Sequence, residues 1–492
     1  MLIAALLSVW LFYSSPPRPK PVLAGEKGVN WTNNADTVTC PAIFYDVTSA
    51  IGISQGFFMN AYLKSWSLCI VSTGMSTAPL CCEGTKRTGI LSVADLWGVN
   101  DIRASDHLVE VQGGAKLSYV VTKLAESGLA LEHQPSFTEL SVVGALQTAS
   151  HGSFPSGSSL SSDVVSMDLV LSNSSQLTVS PSKRKDIFRA AIAGLGSVAL
   201  VESVTLRTVP LERLTRHDYS SAFGKVINTQ SQLEALVHAN AHWLMLQFSP
   251  LCDSIIVRTA SKSSSSSPSS LLTQSHDLIS STYSRGIMRI VQPMLKLSAS
   301  ESSPLSTSQL MNLACIAMGF DHSFDAPQHT AILVPRSNGA QTQAEYYVAR
   351  ENSAAAIRAV RDALRLGHEQ GKYNFNGFVT VSFVAREEEP FLAPNYRGDS
   401  VTIEITTFFQ GVQRSVLSDV EAALEPFEPL PHLGLFNIIS ADTIKKRYGD
   451  ERIKSFSRGA YAADGVGKFA NDWNRRYMVN VTPVKFIPSL IM

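Results

Sequence analysis

Residues 141–153, SVVGALQTASHGS, constrain this chain more than any other stretch. They are small and hydroxyl-rich, with glycines at 144 and 152 and one imidazole, His151. A backbone without bulky β-substituents can approach a ligand closely. Successive amides in such a loop form an anion-binding concavity suited to a pyrophosphate. Taken alone, a loop of this composition is only a turn; its neighbours give it weight. A second small-residue loop, Ser72-Thr73-Gly74-Met75-Ser76, follows the short apolar strand Leu68–Val71. A third run, Gly194-Leu195-Gly196, leads into strand-like Val198–Val209, which ends at Pro210.

A chain of 492 residues is too long for one small core, so two domains are expected. Basic and acidic side chains balance at 41 each, and no basic run interleaves with aromatics, which excludes a nucleic-acid partner. Leu108–Val111 reads as a strand. Leu117, Val120, Val121 and Leu124 then recur at helical spacing before Gly128. Val164–Leu171 reads as a strand and Asp186–Ala193 as a helix. The class is α+β, and no G-x-G-x-x-G follows a strand, so a nicotinamide fingerprint is absent.

From about Leu211 the character changes. Ser261–Ser270 is nearly all serine, a flexible insertion. Ser353 reads as the N-cap of a helix with Ile357, Val360 and Leu364 on one face, which leaves the arginines at 358, 361 and 365 to solvent. Two strands follow. In Val379–Ala385, Val379, Val381 and Phe383 face one side and Thr380 and Ser382 the other. In Val401–Thr407, Val401, Ile403 and Ile405 alternate with Thr402, Glu404 and Thr406. A helix near Val416–Leu424 completes a sheet-and-helix cap. Arg386 and the run Glu387-Glu388-Glu389 read as a surface turn.

Leu2–Tyr13 is apolar, uncharged and shorter than the ~20 residues of a membrane-spanning helix. With Val22-Leu23-Ala24 behind it, residues 1–24 read as a signal peptide, or as a signal-anchor giving membrane association if uncleaved. The expected location is the secretory pathway or outside the cell. Sequons at Asn30, Asn173 and Asn480 suit it. The six cysteines form no C-x-x-C and have no histidine cluster, so no metal is expected. No pairing follows from spacing, and buried or isolated thiols are the favoured reading.

In order along the chain, IVSTGMS, SVVGALQTASHGS, FRAAIAGLGSVALVESVTLRTVP, PNYRGDSVTIEITTFF, LPHLG and DGVGKFANDW resemble blocks of the FAD-linked sugar-1,4-lactone oxidases, the gulonolactone and arabinonolactone oxidase group. The plant-type gulonolactone oxidases are the most similar subgroup. The resemblance implies a PCMH-type FAD-binding domain of two α+β subdomains over 30–212 and an α+β cap (substrate) domain over 213–440. Residues 441–492 would return to the flavin site. Ser72, Thr73, Gly74, Met75, Ser76, Ser141, Gly144, Thr148, His151, Gly152, Gly196 and Val201 would hold FAD. The implied reaction is oxidation of a sugar-1,4-lactone or related polyol, with O2 as acceptor.

Departures from that pattern carry expectations too. Met75 stands where many relatives carry the histidine that bonds covalently to the flavin, so FAD is expected to bind non-covalently. Thr380 and Ser382 occupy the places of a Glu and an Arg that face the flavin. His432 is retained from a PHWGK block whose Trp and Lys are here Leu433 and Leu435. The implied catalytic positions are therefore Thr380, Ser382 and His432. Each lost electrostatic stabiliser typically costs ~10²–10³ in rate. The alternative expectation is thus an FAD- or ligand-binding protein with little turnover.

Overall fold

The alternation at Val379–Ala385 and Val401–Thr407 places two strands at the centre of a large antiparallel sheet. The computed structural model describes residues 29–32, 39–46, 67–81 apart from 79, 88–263, 291–297 apart from 292, 306–334, 341–408 and 414–470. The expected α+β class holds, built on three sheets and a short ribbon.

The first sheet contains β1 (Val29–Thr32), β2 (Thr39–Asp46), β3 (Ser67–Val71) and β4 (Thr88–Ser92), in the order β1-β2-β4-β3, with β2 and β3 both parallel to β4. The second contains β5 (Val99–Arg103), β6 (Leu108–Gln112), β8 (Val164–Val170), β9 (Gln176–Val179) and β10 (Leu200–Arg207), in the order β5-β6-β10-β8-β9. Two residues each, β7 (Leu129–Ala130) and β11 (Val209–Pro210) form the ribbon. Helix Leu117–Glu126 buries Leu117, Val120, Val121 and Leu124 in one cluster with Val109, Val111, Val204 and Leu206. This is the face that the 3,4 spacing dictates.

The cap sheet runs β15 (His322–Pro327), β12 (Arg213–Ala222), β14 (Ser254–Lys262), β13 (Trp243–Phe248), β17 (Gly377–Val384), β18 (Ser400–Phe408), β16 (Gln341–Ala349) and β19 (Leu430–Pro431). One face of its central strands is covered by helices. Val379, Val381, Val401, Ile403 and Ile405 pack with Ile357, Val360 and Leu364 of helix Ser353–Glu369 and with Val416 and Val420 of helix Arg414–Leu424. The opposite face, carrying Thr380, Ser382, Glu404 and Thr406, looks into a cleft.

The carboxy-terminal part folds back onto the first half. Helix Asp450–Ala463 packs on helix Lys185–Ala191 so closely that a Cβ at Gly459 would lie 2.3 Å from the Asp186 carbonyl oxygen. Beyond it, Phe469 is buried with Leu68, Leu91 and Val93, and Leu68 N donates to the Lys468 carbonyl at 2.7 Å.

Several expectations change. Residues 142–147, read as loop, form a short helix whose N-cap Ser141 accepts from Gly144 N at 3.1 Å. Ser353 lies inside its helix, behind Asn352. Arg361, placed in solvent, has its guanidinium 4.2 Å from the centre of the Phe223 ring. Four cysteines are not thiols: Cys69 bonds Cys81, and Cys252 bonds Cys315. Ser261 and Lys262 finish β14, while 264–270, the leader 1–24 and the tail 471–492 lie outside the described residues. Among the described residues, no helix is long and apolar enough to cross a membrane.

Candidate active site

Across the cap sheet, register sets four side chains in one row: Gln247 on β13, Thr380 on β17, Glu404 on β18 and Glu345 on β16. Period-two alternation puts Met245 and Ser382 one step along on the same face, and Phe378, Thr406 and Gln343 one step the other way. These residues form the floor of the cleft. Its facing wall comes from the small-residue segments: Ser72–Ser76, Ser141, Gly144, Thr148, His151, Gly196 and Val201. His432 and Leu435 close one end. Gly152 is the one candidate off the wall; its carbonyl holds His151 Nδ1 at 2.7 Å.

Cross-links between the halves set the width of the cleft. Ser76 Oγ donates to the Gly434 carbonyl. Thr77 Oγ1 donates to the Gln343 carbonyl at 3.2 Å and accepts from Phe436 N at 3.2 Å. Gln147, which the sequence did not single out, joins two loops of the wall: its Nε2 donates to the Ala191 carbonyl at 2.8 Å and its Oε1 accepts from Gly196 N at 2.9 Å.

The floor is charged. Glu345 is 5% exposed and accepts from His151 Nε2 at 3.1 Å. Because His151 Nδ1 faces a carbonyl and Nε2 a carboxylate, both ring nitrogens donate and the ring is an imidazolium. Burial alone would lower the His151 pKa, but Glu345 outweighs it and the pKa is raised. Burial would likewise raise Glu345, yet His151 pulls it down to about 2. His432 moves the other way, to about 4, because burial, and then the nearby His151 charge, disfavour its cation. It is neutral at pH 7, and its buried Nδ1 has no hydrogen-bond partner among the described residues.

Glu404 is half-buried on the floor. Its Oε1 accepts from Gln343 Nε2 at 2.6 Å and from Thr406 Oγ1 at 2.7 Å. Gln247 donates to Thr380 Oγ1 at 3.3 Å, while its own Oε1 is held by Arg258 Nη1 at 2.9 Å. Thr380 and Ser382 do share the cleft face, as expected. The expected loss of charge is corrected, because two carboxylates and an imidazolium arrive from β16, β18 and the 141–153 segment.

Glu387 also departs from expectation. Instead of sitting in a surface turn it is 5% exposed, where burial pushes its carboxyl up to about 7. Its Oε2 accepts from Ser158 Oγ at 3.1 Å and Ser159 Oγ at 2.7 Å, which joins the cap to the segment after His151.

The cleft holds a cavity of about 300 Å³ that continues into solvent, at the lower edge of the ~300–1,000 Å³ of ordinary small-molecule sites. A dinucleotide fits its composition. The Ser72 hydroxyl on the wall is buried with no partner among the described residues. Gly74 and Gly196 adopt φ of 64° and 67°, and so do three non-glycine residues beside them, Ala149 (55°), Ala193 (52°) and Leu195 (56°). For the three non-glycine residues such backbone costs on the order of 1–3 kcal/mol each, and it collects at ligand clamps.

Known proteins match along the same lines. Residues 204–477 match the D-arabinono-1,4-lactone oxidase family, and residues 59–180 match the FAD binding domain. The chain is 26% identical over 449 residues to an L-gulono-1,4-lactone dehydrogenase of Mycobacterium tuberculosis, covering 91% of this chain and 99% of that protein. It is 24% identical over 458 residues to an alditol oxidase of a Streptomyces species, covering 91% and 97%. The cholesterol oxidase of B. sterolicum shares the fold, with a TM-score of 0.72 at 13% identity over 94% of this chain and all of that one.

Proposed function

This chain belongs to the D-arabinono-1,4-lactone oxidase family, and from that premise we propose that it oxidises a neutral sugar-1,4-lactone or alditol, with O2 as acceptor. It is an FAD-dependent oxidoreductase; bound FAD supplies the two-electron acceptor. One observation carries the substrate reading. The polar floor row Gln247, Thr380, Glu404 and Glu345 faces the glycine- and serine-lined wall across a single cleft. Amide and hydroxyl groups at that spacing suit a ligand with several hydroxyls. The carboxylate of Glu404 repels an anionic hydroxy acid, since like charges a few ångströms apart disfavour each other.

On the wall, Ser72–Ser76, Ser141–His151 and Gly196 would hold the dinucleotide. Met75 beside the cleft offers a thioether, which forms no histidyl-type bond to flavin, so attachment is non-covalent. Phe378 and Phe408 cover one end of the floor with apolar surface and limit water there. The disulfides Cys69–Cys81 and Cys252–Cys315 suit an oxidising compartment, which supports a place in the secretory pathway.

The test is an anaerobic titration of the purified flavoprotein with gulono-, galactono- and arabinono-1,4-lactone, an alditol and a 2-hydroxy acid anion. At least one neutral compound should bleach the flavin absorbance, and admitting O2 should restore it with formation of peroxide. The anion should leave it unchanged. A flavin that none of the neutral compounds bleaches would support the binding-protein reading instead.

A further inference from the structure

We propose that Glu404 is the catalytic residue that takes the proton of the substrate hydroxyl; this rests on the oxidase reading above. Oxidation of a carbinol breaks two bonds. Bound FAD would supply the acceptor for the carbinol hydrogen and the electron pair of the broken C–H bond. The O–H bond gives up a proton while its electrons become the second bond of the carbonyl. That proton needs an acceptor on the cleft wall, positioned before the hydride moves.

Four titratable groups line this part of the cleft, and two of them are paired with each other. Glu345 is almost fully buried and committed to His151. His151 donates from both ring nitrogens, to Glu345 and to the Gly152 carbonyl, and has no lone pair to offer. His432 is buried at 6% exposure and closes the end of the cleft, outside the floor row, where burial lowers its pKa. Glu404 differs from all three. It stands in the middle of the floor row, half-exposed to the cleft, between Thr380 on one strand and Glu345 on the next.

Its surroundings suit the role. Gln343 and Thr406 both donate to Oε1, which fixes the carboxylate plane. No hydrogen bond from a described residue reaches Oε2, so that oxygen is left for a ligand. On the neighbouring strand, Gln247 is held by Arg258 and reaches Thr380. An amide donor and a carboxylate acceptor thus flank Thr380 from either side. The titratable groups facing Glu404 are Glu345 from β16, His151 from the wall and neutral His432 from the closing loop; the Arg258 guanidinium lies behind Gln247.

Glu404→Gln keeps the shape and the bonds to Gln343 or Thr406 while removing the base. Three quantities separate a chemical from a structural role: FAD content, substrate dissociation constant, and the rate of anaerobic flavin reduction against pH. The expected result is unchanged FAD content, a dissociation constant within a few-fold, and reduction slowed by ~10²–10³, in the range that general bases contribute. If reduction of the natural protein slows at low pH, that acidic limb should vanish in E404Q. Adding Thr380→Glu to E404Q returns a carboxylate to the adjacent register position and should recover tenfold or more of the lost rate.

E404Q that reduces its flavin within threefold of the natural rate, with the same acidic limb, overturns this inference alone. An acidic limb that disappears in His432→Gln but persists in E404Q overturns it in favour of the imidazole. Natural protein whose FAD no neutral lactone or alditol reduces overturns the oxidase reading, and this inference with it.

Discussion

Asp218→Asn should destabilise the cap by about 3–5 kcal/mol, as expected for removing one partner of a buried ion pair. Asp218 is 6% exposed and serves two buried guanidiniums at once. Arg216 binds it bidentately, through Nε at 2.7 Å and Nη2 at 3.0 Å, and Arg258 Nε reaches Oδ2 at 3.2 Å. Burial would raise its pKa, but the two arginines outweigh burial and hold it below 3.8. Its folded pKa is depressed, so its contribution is present above the unfolded value and lost as pH falls through the folded one. An amide leaves two buried cations with no carboxylate, and arginine does not escape by deprotonating. Arg258→Met should cost less, because the bidentate Arg216–Asp218 pair survives. Urea midpoints at pH 7 for the two variants check the order. D218N within 1 kcal/mol of the natural protein would contradict it.

A second large effect concerns the pair that joins the small-residue wall to the floor of the cleft. His151→Asn should cost more than Glu345→Gln at pH 7, and the order should reverse near pH 5. Without His151, the buried Glu345 relaxes by taking up a proton, which at pH 7 costs about 3 kcal/mol from its ordinary value of 4.5. Without Glu345, His151 relaxes by losing one, which costs well under ~1 kcal/mol at pH 7 from 6.5. At pH 5 the same arithmetic gives about 1 kcal/mol for the glutamate and about 2 for the histidine.

The signs agree with the shifts. Depressed Glu345 stabilises above about 4.5 and loses that contribution as pH falls toward about 2. Raised His151 stabilises fully below 6.5 and loses its contribution as pH climbs through its folded value. His432 also faces Glu345 and could take the proton in H151N; His432→Gln in that background closes the route. Denaturant midpoints at pH 5 and 7 are the measurement, and an order that does not change with pH would contradict the assignment of charges.

The cleft-wall residues were legible because they are small and lie in contiguous runs. Ser72–Ser76 and Ser141–His151 announce themselves by lacking side-chain bulk. The floor was legible only by halves. Alternation put Thr380 with Ser382 and Glu404 with Thr406, but Gln247, Thr380, Glu404 and Glu345 come from four strands whose register no local pattern fixes. For that reason a site that looked stripped of charge holds two carboxylates.

Glu387 misled for a related reason. Within three consecutive glutamates nothing marks the one that meets Ser158 and Ser159, more than two hundred residues earlier. The helix at Val142–Gln147 was hidden by its shortness and by Gly144 and Thr148, which weaken helical propensity. The disulfides needed Cα separations of 5.7 and 6.7 Å, which no spacing of cysteines reveals.

The account stands on a flavin dinucleotide lying between the Ser72–Ser76 and Ser141–His151 segments, held without a covalent bond. Acid precipitation of the purified yellow protein, followed by chromatography of the supernatant, measures this directly. About one FAD per chain should appear in the supernatant, with a colourless pellet, and Gly74→Val should abolish the yellow colour by filling the left-handed turn at φ 64°. Flavin retained in the pellet would contradict the mode of attachment. A colourless protein that takes up no added FAD would contradict the site itself.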